Sequence, residues 1–304
     1  MLSSRGRGGL RERIKEFLTA KVNLSAFPLV GPVSLWIILF VFFPLGVIAG
    51  ISFLSIDVSG RIIPSFTLEN YRFLLSEGST YMRSILRSFF FAFVTNMICL
   101  VIGYPIAYWI AKCGGKLKPL FLSLVIIPSW SCYIVRIYAL KQLIGYQGIL
   151  NNFLMNLGLI SSPIDILYTS VAVVLGLIYI WVPFMVLPIY ASLEGIDPTL
   201  LEASVDLGAT PLQRFLTVTL PLSKGGIFGG TILTLIPAFG DWLVPLLLGG
   251  SKVWMAGNYI QHYIMVMGNL PVGSTMAVFL TAFIVLMIYF SIKLGGEESI
   301  EKVI

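Results

Sequence analysis

The residues that could do covalent or metal chemistry are few and scattered. His262 is the only histidine and has no cysteine beside it, so neither a metal-ligand set nor a partnered general base can be assembled around it. Cys99, Cys113 and Cys132 are odd in number, form no CxxC pair and lie in apolar sequence, which argues against a disulfide framework or a zinc site. Gly114-Gly115-Lys116 has the ending of a phosphate-binding loop but fails its pattern: Leu117 follows the lysine, and Ile110 stands where the first glycine belongs. The chain is therefore expected to hold no ATP, metal or other cofactor of its own and to carry out no covalent reaction.

Two other features are polar where the surroundings are not. Asp241 sits late in an apolar run; a carboxylate costs about 2.5–3.5 kcal/mol near the centre of a membrane helix and is usually turned to an aqueous cavity or a partner charge. Pairing with Arg136, or simply ending the helix, are its structural readings. The second feature is the stretch Glu202-Ala203-Ser204-Val205-Asp206-Leu207-Gly208, with Val218-Thr219-Leu220-Pro221 after it. Asp197 and Pro198 suit an N-cap and first helical residue, predicting a helix over 198–207 that Gly208 ends in the left-handed conformation. Thr210, Pro211 and Gln213 form a second start signal with a capping box, and the new helix should run to about Leu220, where Pro221 disfavours a straight continuation. On the first helix of this elbow Thr199, Glu202 and Asp206 share one face and Leu200, Ala203 and Leu207 another. An apolar face needs either a partner or the chain's own bundle, and periodicity does not choose between them.

The elements that must position these groups are set by composition. With 57% hydrophobic and 11% charged residues, against roughly 25% charged in a soluble domain, the chain belongs in a bilayer. Its net charge of +6 is better explained by lipid headgroups and topology than by nucleic acid. Apolar runs long enough to cross a membrane number six, at about 29–52, 83–111, 119–144, 169–192, 223–249 and 272–293. The expected organisation is a basic tail over 1–28 and a single transmembrane domain over 29–304, with the run after the tail a retained helix rather than a signal peptide. Thirteen of the twenty lysines and arginines fall on one side if both termini are cytoplasmic, which places the elbow in the cytoplasm too. The longer loops, 53–82 (with a short helix expected over 68–75) and 145–168, would lie outside, either as amphipathic pieces on the membrane or as a landing area for an external partner. Gly225-Gly226 and Gly229-Gly230 give overlapped GxxxG spacings, read as close helix packing.

Glu202-Ala203-Ser204, Gly208, Val218 and Leu220-Pro221, at these spacings, resemble the cytoplasmic EAA loop of the permease subunits of ATP-binding-cassette importers. Ser204 and Val218 stand where the pattern has alanine and isoleucine. The resemblance runs from about 66 to 290 and is closest to the spermidine/putrescine branch, its B-type permease. It is carried by 66–71, 103–108, 124–130, 135–138, 183–188, 236–241 and 248–250. It implies an all-α integral membrane protein of six transmembrane helices with the type I importer (MetI-like) permease fold, its core at about 80–293 and its coupling loop at 193–222. It also implies two separate ATP-binding subunits that hold ATP and magnesium, a second homologous permease, giving a heterodimer, an external substrate-binding protein and a bacterial inner-membrane location. Polyamines are cations with methylene stretches, so Asp241, Trp242 and Trp130 become candidates for a substrate path. The same permease role for an opine, phosphonate or ferric iron, and an ion-coupled secondary transporter, are the competing readings.

Overall fold

The computed structural model describes residues 27–57, 60–76 and 79–295. Positions 1–26 of the expected basic tail lie outside the described residues. The chain divides into two compact units, Met1–Gly50 and Ile51–Ile304. Helix α1 (27–51) supplies the described part of the first. It combines Phe27–Ile37, a π turn at Ile38–Phe42 and Phe43–Ile51. Residues 32–47 are exposed on every side and largely apolar, the character of a helix that lipid surrounds. The π turn stands just before Pro44: Phe43 N–H bonds to the Ile38 carbonyl, the wider turn accommodating a proline that cannot donate.

The second unit opens with a hairpin that the sequence pattern did not reveal. Strands β1 (Ser55–Ile56) and β2 (Ile62–Ile63) pair antiparallel, Ser55 opposite Ile63. Asn70, on the short helix α2 (Glu69–Ser76), donates to the carbonyls of Ser52 and Leu54 and so fastens the hairpin's base. Helix α3 (Ser79–Cys113) is 35 residues long and, at about 1.5 Å per residue, exceeds the roughly 30 Å of a bilayer core.

The expected third crossing is not a straight helix. It breaks into α4 (Lys118–Trp130) and α5 (Tyr133–Ile144), whose segments are bent by 94°. Pro128 weakens the end of α4, Ser131 donates its hydroxyl to the Pro128 carbonyl, and Ser131 is extended. α4 spans only about 20 Å by itself, so the crossing needs both pieces. Then come α6 (Ile149–Asn156), α7 (Ser170–Glu194), α8 (Pro198–Asp206), α9 (211–222) and α10 (Lys224–Gly240). The fifth crossing also differs from expectation: α10 stops at Gly240, Asp241 is extended, and a separate helix α11 covers 243–249. α9 and α10 meet at 60°. Helices α12 (256–266) and α13 (Leu270–Gly295) complete the order. Four described helices are long and apolar enough to span alone, and the count reaches six when each bent pair is one crossing.

α3, α7 and α10 pack against one another and form the core of the second unit. The glycine pattern is resolved by this packing. A Cβ on Gly226 would fall 2.4 Å from the Pro188 carbonyl oxygen and one on Gly230 would fall 2.7 Å from Met185 Sδ, both on α7. Gly225 and Gly229 leave room. One apolar cluster at the elbow end gathers Cys99, Ala107, Val186, Ile189 and Leu193; the other, at the opposite end, gathers Ile85, Ile137, Ile180, Phe239 and Leu248.

Candidate functional site

The elbow forms from its local signals. Asp197 caps α8 by accepting the Thr199 N–H at 2.9 Å, and this backbone bond holds its carboxyl below the usual carboxylate range. Gly208 takes φ +80, where an L side chain is strained. Thr210 accepts from Gln213 N–H while the Gln213 side chain accepts from Thr210 N–H, the reciprocal capping box. α9 then passes through a π turn at Phe215–Thr219, closed by Leu220 N–H on the Phe215 carbonyl, and continues past Pro221 to Leu222. As at Pro44, an inserted residue absorbs the proline that was expected to end the helix.

The two faces of α8 have separate fates. Leu201 and Ser204 turn inward; Leu201 packs on the elbow-end cluster, and Ser204 is buried with its hydroxyl donated to the Leu201 carbonyl. A serine at this position thus satisfies itself. Leu200, Ala203 and Leu207, together with Glu202 and Asp206, face out, Leu207 being 88% exposed. Glu202 and Asp206 join Leu201, Val205 and Arg214 around a depression of ≈ 230 Å³. Val218 and Leu220 are half-buried and Pro221 is exposed. The elbow is tied to the bundle at three points. Phe215 sets its edge on Tyr104 and Tyr108 of α3, at 5.7 and 6.0 Å between ring centroids. Tyr104 and Ser223 share a 2.9 Å hydroxyl bond, and Lys118 pairs with Glu194 at 2.7 Å just before the elbow begins.

Asp241 lies at the opposite end. Its Oδ1 accepts from the N–H groups of Leu243 and Val244, so it ends one helix and caps the next. Its Oδ2 accepts the hydroxyl of Tyr133, the first residue of α5, and the Trp181 indole faces the same carboxylate. The ion pair with Arg136 is not formed; that guanidinium lies over the Tyr133 ring, 5.7 Å from its centroid. Trp242 is 42% exposed and lends its carbonyl to Asn258, and Trp130 is 83% exposed at the end of α4. The rings around Asp241 are those of Tyr133 and Trp181 rather than Trp130 and Trp242. Sequence reasoning missed both, since no spacing links residues 133, 181 and 241. It also missed Asn151, whose amide holds the Gly145, Tyr146 and Ile164 backbone and organises the 145–168 loop.

Elsewhere, His262 packs edge-on against Trp254, and no group of three or more His, Cys, Asp or Glu able to hold a metal occurs among the described residues. The three cysteines are free.

Apolar crossings around a buried glycine seam, with a capped polar elbow presented at one end, define a multi-pass α-helical membrane protein. Residues 101–294 match the family model described as "Binding-protein-dependent transport system inner membrane component", and the chain belongs to that family. It is 41% identical over 254 residues to the "Spermidine/putrescine transport system permease protein PotB" of Haemophilus influenzae, covering 84% of this chain and 88% of that one. Its fold is similar to a solved bacterial ABC transporter involved in import of the acidic polysaccharide alginate, with a TM-score of 0.70 and 17% identity over 93% of this chain and 98% of the other. It is also similar to the MetNI methionine ABC transporter in inward-facing conformations, with a TM-score of 0.55 and 21% identity over 70% and 94%. These two likenesses are of fold. The chain is an inner-membrane permease of this family and not an enzyme.

Proposed function

We propose that the chain is the membrane-spanning permease subunit of an ATP-driven importer for polyamines of the spermidine/putrescine type. The observation that carries the solute class is the 41% identity, over 84% of the chain, to a permease named for spermidine and putrescine transport. The coupling role is supported by the outward apolar face of Leu200, Ala203 and Leu207 beside Glu202, on a helix whose inner face is already packed.

In this reading α8 docks in a cleft of an ATP-binding subunit. Two such subunits hold ATP and magnesium, a second homologous permease completes the pathway, and an external binding protein delivers the solute. The termini and elbow are cytoplasmic, in keeping with the distribution of lysine and arginine. When the ATP-binding subunits close they move α8; Leu201 passes the motion to the elbow-end cluster on α7, and Phe215 passes it to Tyr104 and Tyr108 on α3. The crossings then rock between inward- and outward-facing states. Asp241, Trp242 and Trp130 are assigned to the substrate path, carboxylate and aromatic faces suiting an extended cation.

The test is the ligand of the binding protein that co-purifies with this subunit, combined with uptake by vesicles holding the assembled complex. A polyamine ligand and ATP-driven polyamine uptake are expected. An anionic ligand would remove the solute class while leaving the importer. Asp241→Asn is expected to weaken polyamine uptake more than assembly, and unchanged uptake kinetics would return Asp241 to a purely capping role.

A further inference from the structure

Asp241 and Arg136 are opposite charges buried at the same end of the second unit, each 8% exposed, yet they do not pair. Tyr133 stands between them. Its hydroxyl donates to Asp241 and its ring lies beneath the Arg136 guanidinium. One buried donor beside this group has no hydrogen-bond partner: Arg136 Nε. A buried orphan donor costs free energy that a second conformation can recover by giving it an acceptor. The Asp241 carboxylate, bonded to the Tyr133 hydroxyl, is an acceptor of opposite charge.

The backbone is built to allow such an exchange. Tyr133 begins α5 immediately after the extended Ser131 and Cys132, where the crossing bends by 94°. Asp241 is itself the extended residue between α10 and α11. The hydrogen bond therefore joins two helix breaks, and small rotations at either break redirect these side chains.

We propose that Tyr133 is a positioning residue that latches this end of the bundle: here it keeps Asp241 from Arg136, and opening the two breaks exchanges the Tyr133–Asp241 hydrogen bond for an Arg136–Asp241 ion pair. Both arrangements then leave Asp241 partnered, which makes the element two-state rather than loosely flexible. The latch rests on the importer reading for the cycle in which it opens.

The test uses the assembled complex in lipid vesicles, measuring ATP hydrolysis with and without binding protein, together with uptake. Tyr133→Phe removes one hydroxyl and is expected to raise hydrolysis without binding protein on the order of tenfold, the scale of a lost hydrogen bond to a charged group, and to lower uptake per ATP. Asp241→Asn keeps an amide that still meets the Tyr133 hydroxyl but removes the charge that the Arg136 ion pair needs, so it should lower the stimulated rate, and the double variant with Arg136→Gln should lower it no further. Arg136→Gln should leave the unstimulated rate unchanged and lower the stimulated one. Wild-type rates in Tyr133→Phe, or additive effects in the double variant, overturn the latch. A second readout is independent of transport: spin labels at the exposed Val135 and Leu246 should show a longer or broader distance distribution in Tyr133→Phe, and an unchanged one overturns the proposal. Absence of ATP-driven uptake by the wild-type complex would instead count against the importer reading, with the label distances still deciding the latch.

Discussion

Gly226 of α10 approaches Pro188 of α7 so closely that a methyl group on the glycine would stand 2.4 Å from the proline's carbonyl oxygen. Pro188 is one of two prolines inside α7, and the seam continues one turn on, where Gly230 meets Met185. The crossing that leads into the elbow and the crossing that ends at Asp241 are thus in close contact along this seam.

Gly226→Ala is expected to destabilise the protein by about 1–3 kcal/mol, because the obstructing atom is backbone and cannot swing away. Gly225→Ala, with its nearest neighbour at 4.0 Å, should be neutral or slightly stabilising through helix propensity. Gly230→Ala should fall between, since the Met185 thioether can move. Thermal unfolding midpoints of the solubilised protein would check the order; equal midpoints for Gly225→Ala and Gly226→Ala would contradict the seam.

At the elbow, Leu207→Asp should leave folding intact, since Leu207 is 88% exposed, and, on the coupling role proposed for α8, abolish ATP-driven uptake. Gly208→Val should impair uptake by a different route. At φ +80 a side chain costs about 1–2 kcal/mol, so the turn between α8 and α9 would be displaced. Membrane insertion measured beside vesicle uptake separates the two outcomes from general misfolding.

Asp197 gives the elbow a defined acid sensitivity. Its folded carboxyl is lowered by the Thr199 backbone bond, so its contribution is present above the unfolded value near 3.8 and is lost as pH falls through the lower folded value. The start of α8 should therefore loosen below about pH 4, and not at neutral pH. Asp197→Asn keeps a capping side chain without this titration. The mobility of a spin label at Leu200 should rise on acidification in the wild-type protein and show less pH dependence in the variant.

Lys118 and Glu194 join the start of α4 to the end of α7 at 2.7 Å, with side chains 25% and 42% exposed. Partial exposure limits the pair to roughly 1 kcal/mol or less. A double-mutant cycle of Lys118→Met and Glu194→Gln should return a coupling of that size, shrinking in high salt. A coupling of several kcal/mol would mean that the pair is more deeply desolvated than its exposure indicates.

The elbow was legible in advance because capping is decided within a few residues. Asp197, Pro198, Gly208, Thr210 and Gln213 act on backbone groups three or four positions away, and the chain carries those neighbours with it wherever it folds. Membrane crossings were legible for a related reason: apolar length is a property of a segment. The glycine spacing likewise announced close packing, but α7 as the partner, and Gly226 rather than Gly225 as the tight contact, came from the assembled bundle. The break at 131–132 is invisible in the sequence, since most prolines in these crossings sit inside continuing helices and Pro128 looks no different, whereas a helix end at Asp241 is one of the readings that its carboxylate allows.

By itself, then, the sequence determined that the chain is a multi-pass membrane protein, which segments are apolar and long enough to cross, and how the exposed elbow is capped, all from properties of single segments and near neighbours. Tertiary structure alone decided which face of α8 stays free and which partner Asp241 takes. Tyr133 is 108 positions from Asp241, and Arg136, the obvious charge complement, is only three positions beyond Tyr133. Which of the two reaches the carboxylate depends on the angle at a helix break, which side-chain spacing does not encode and packing of α5 against α7 and α11 does.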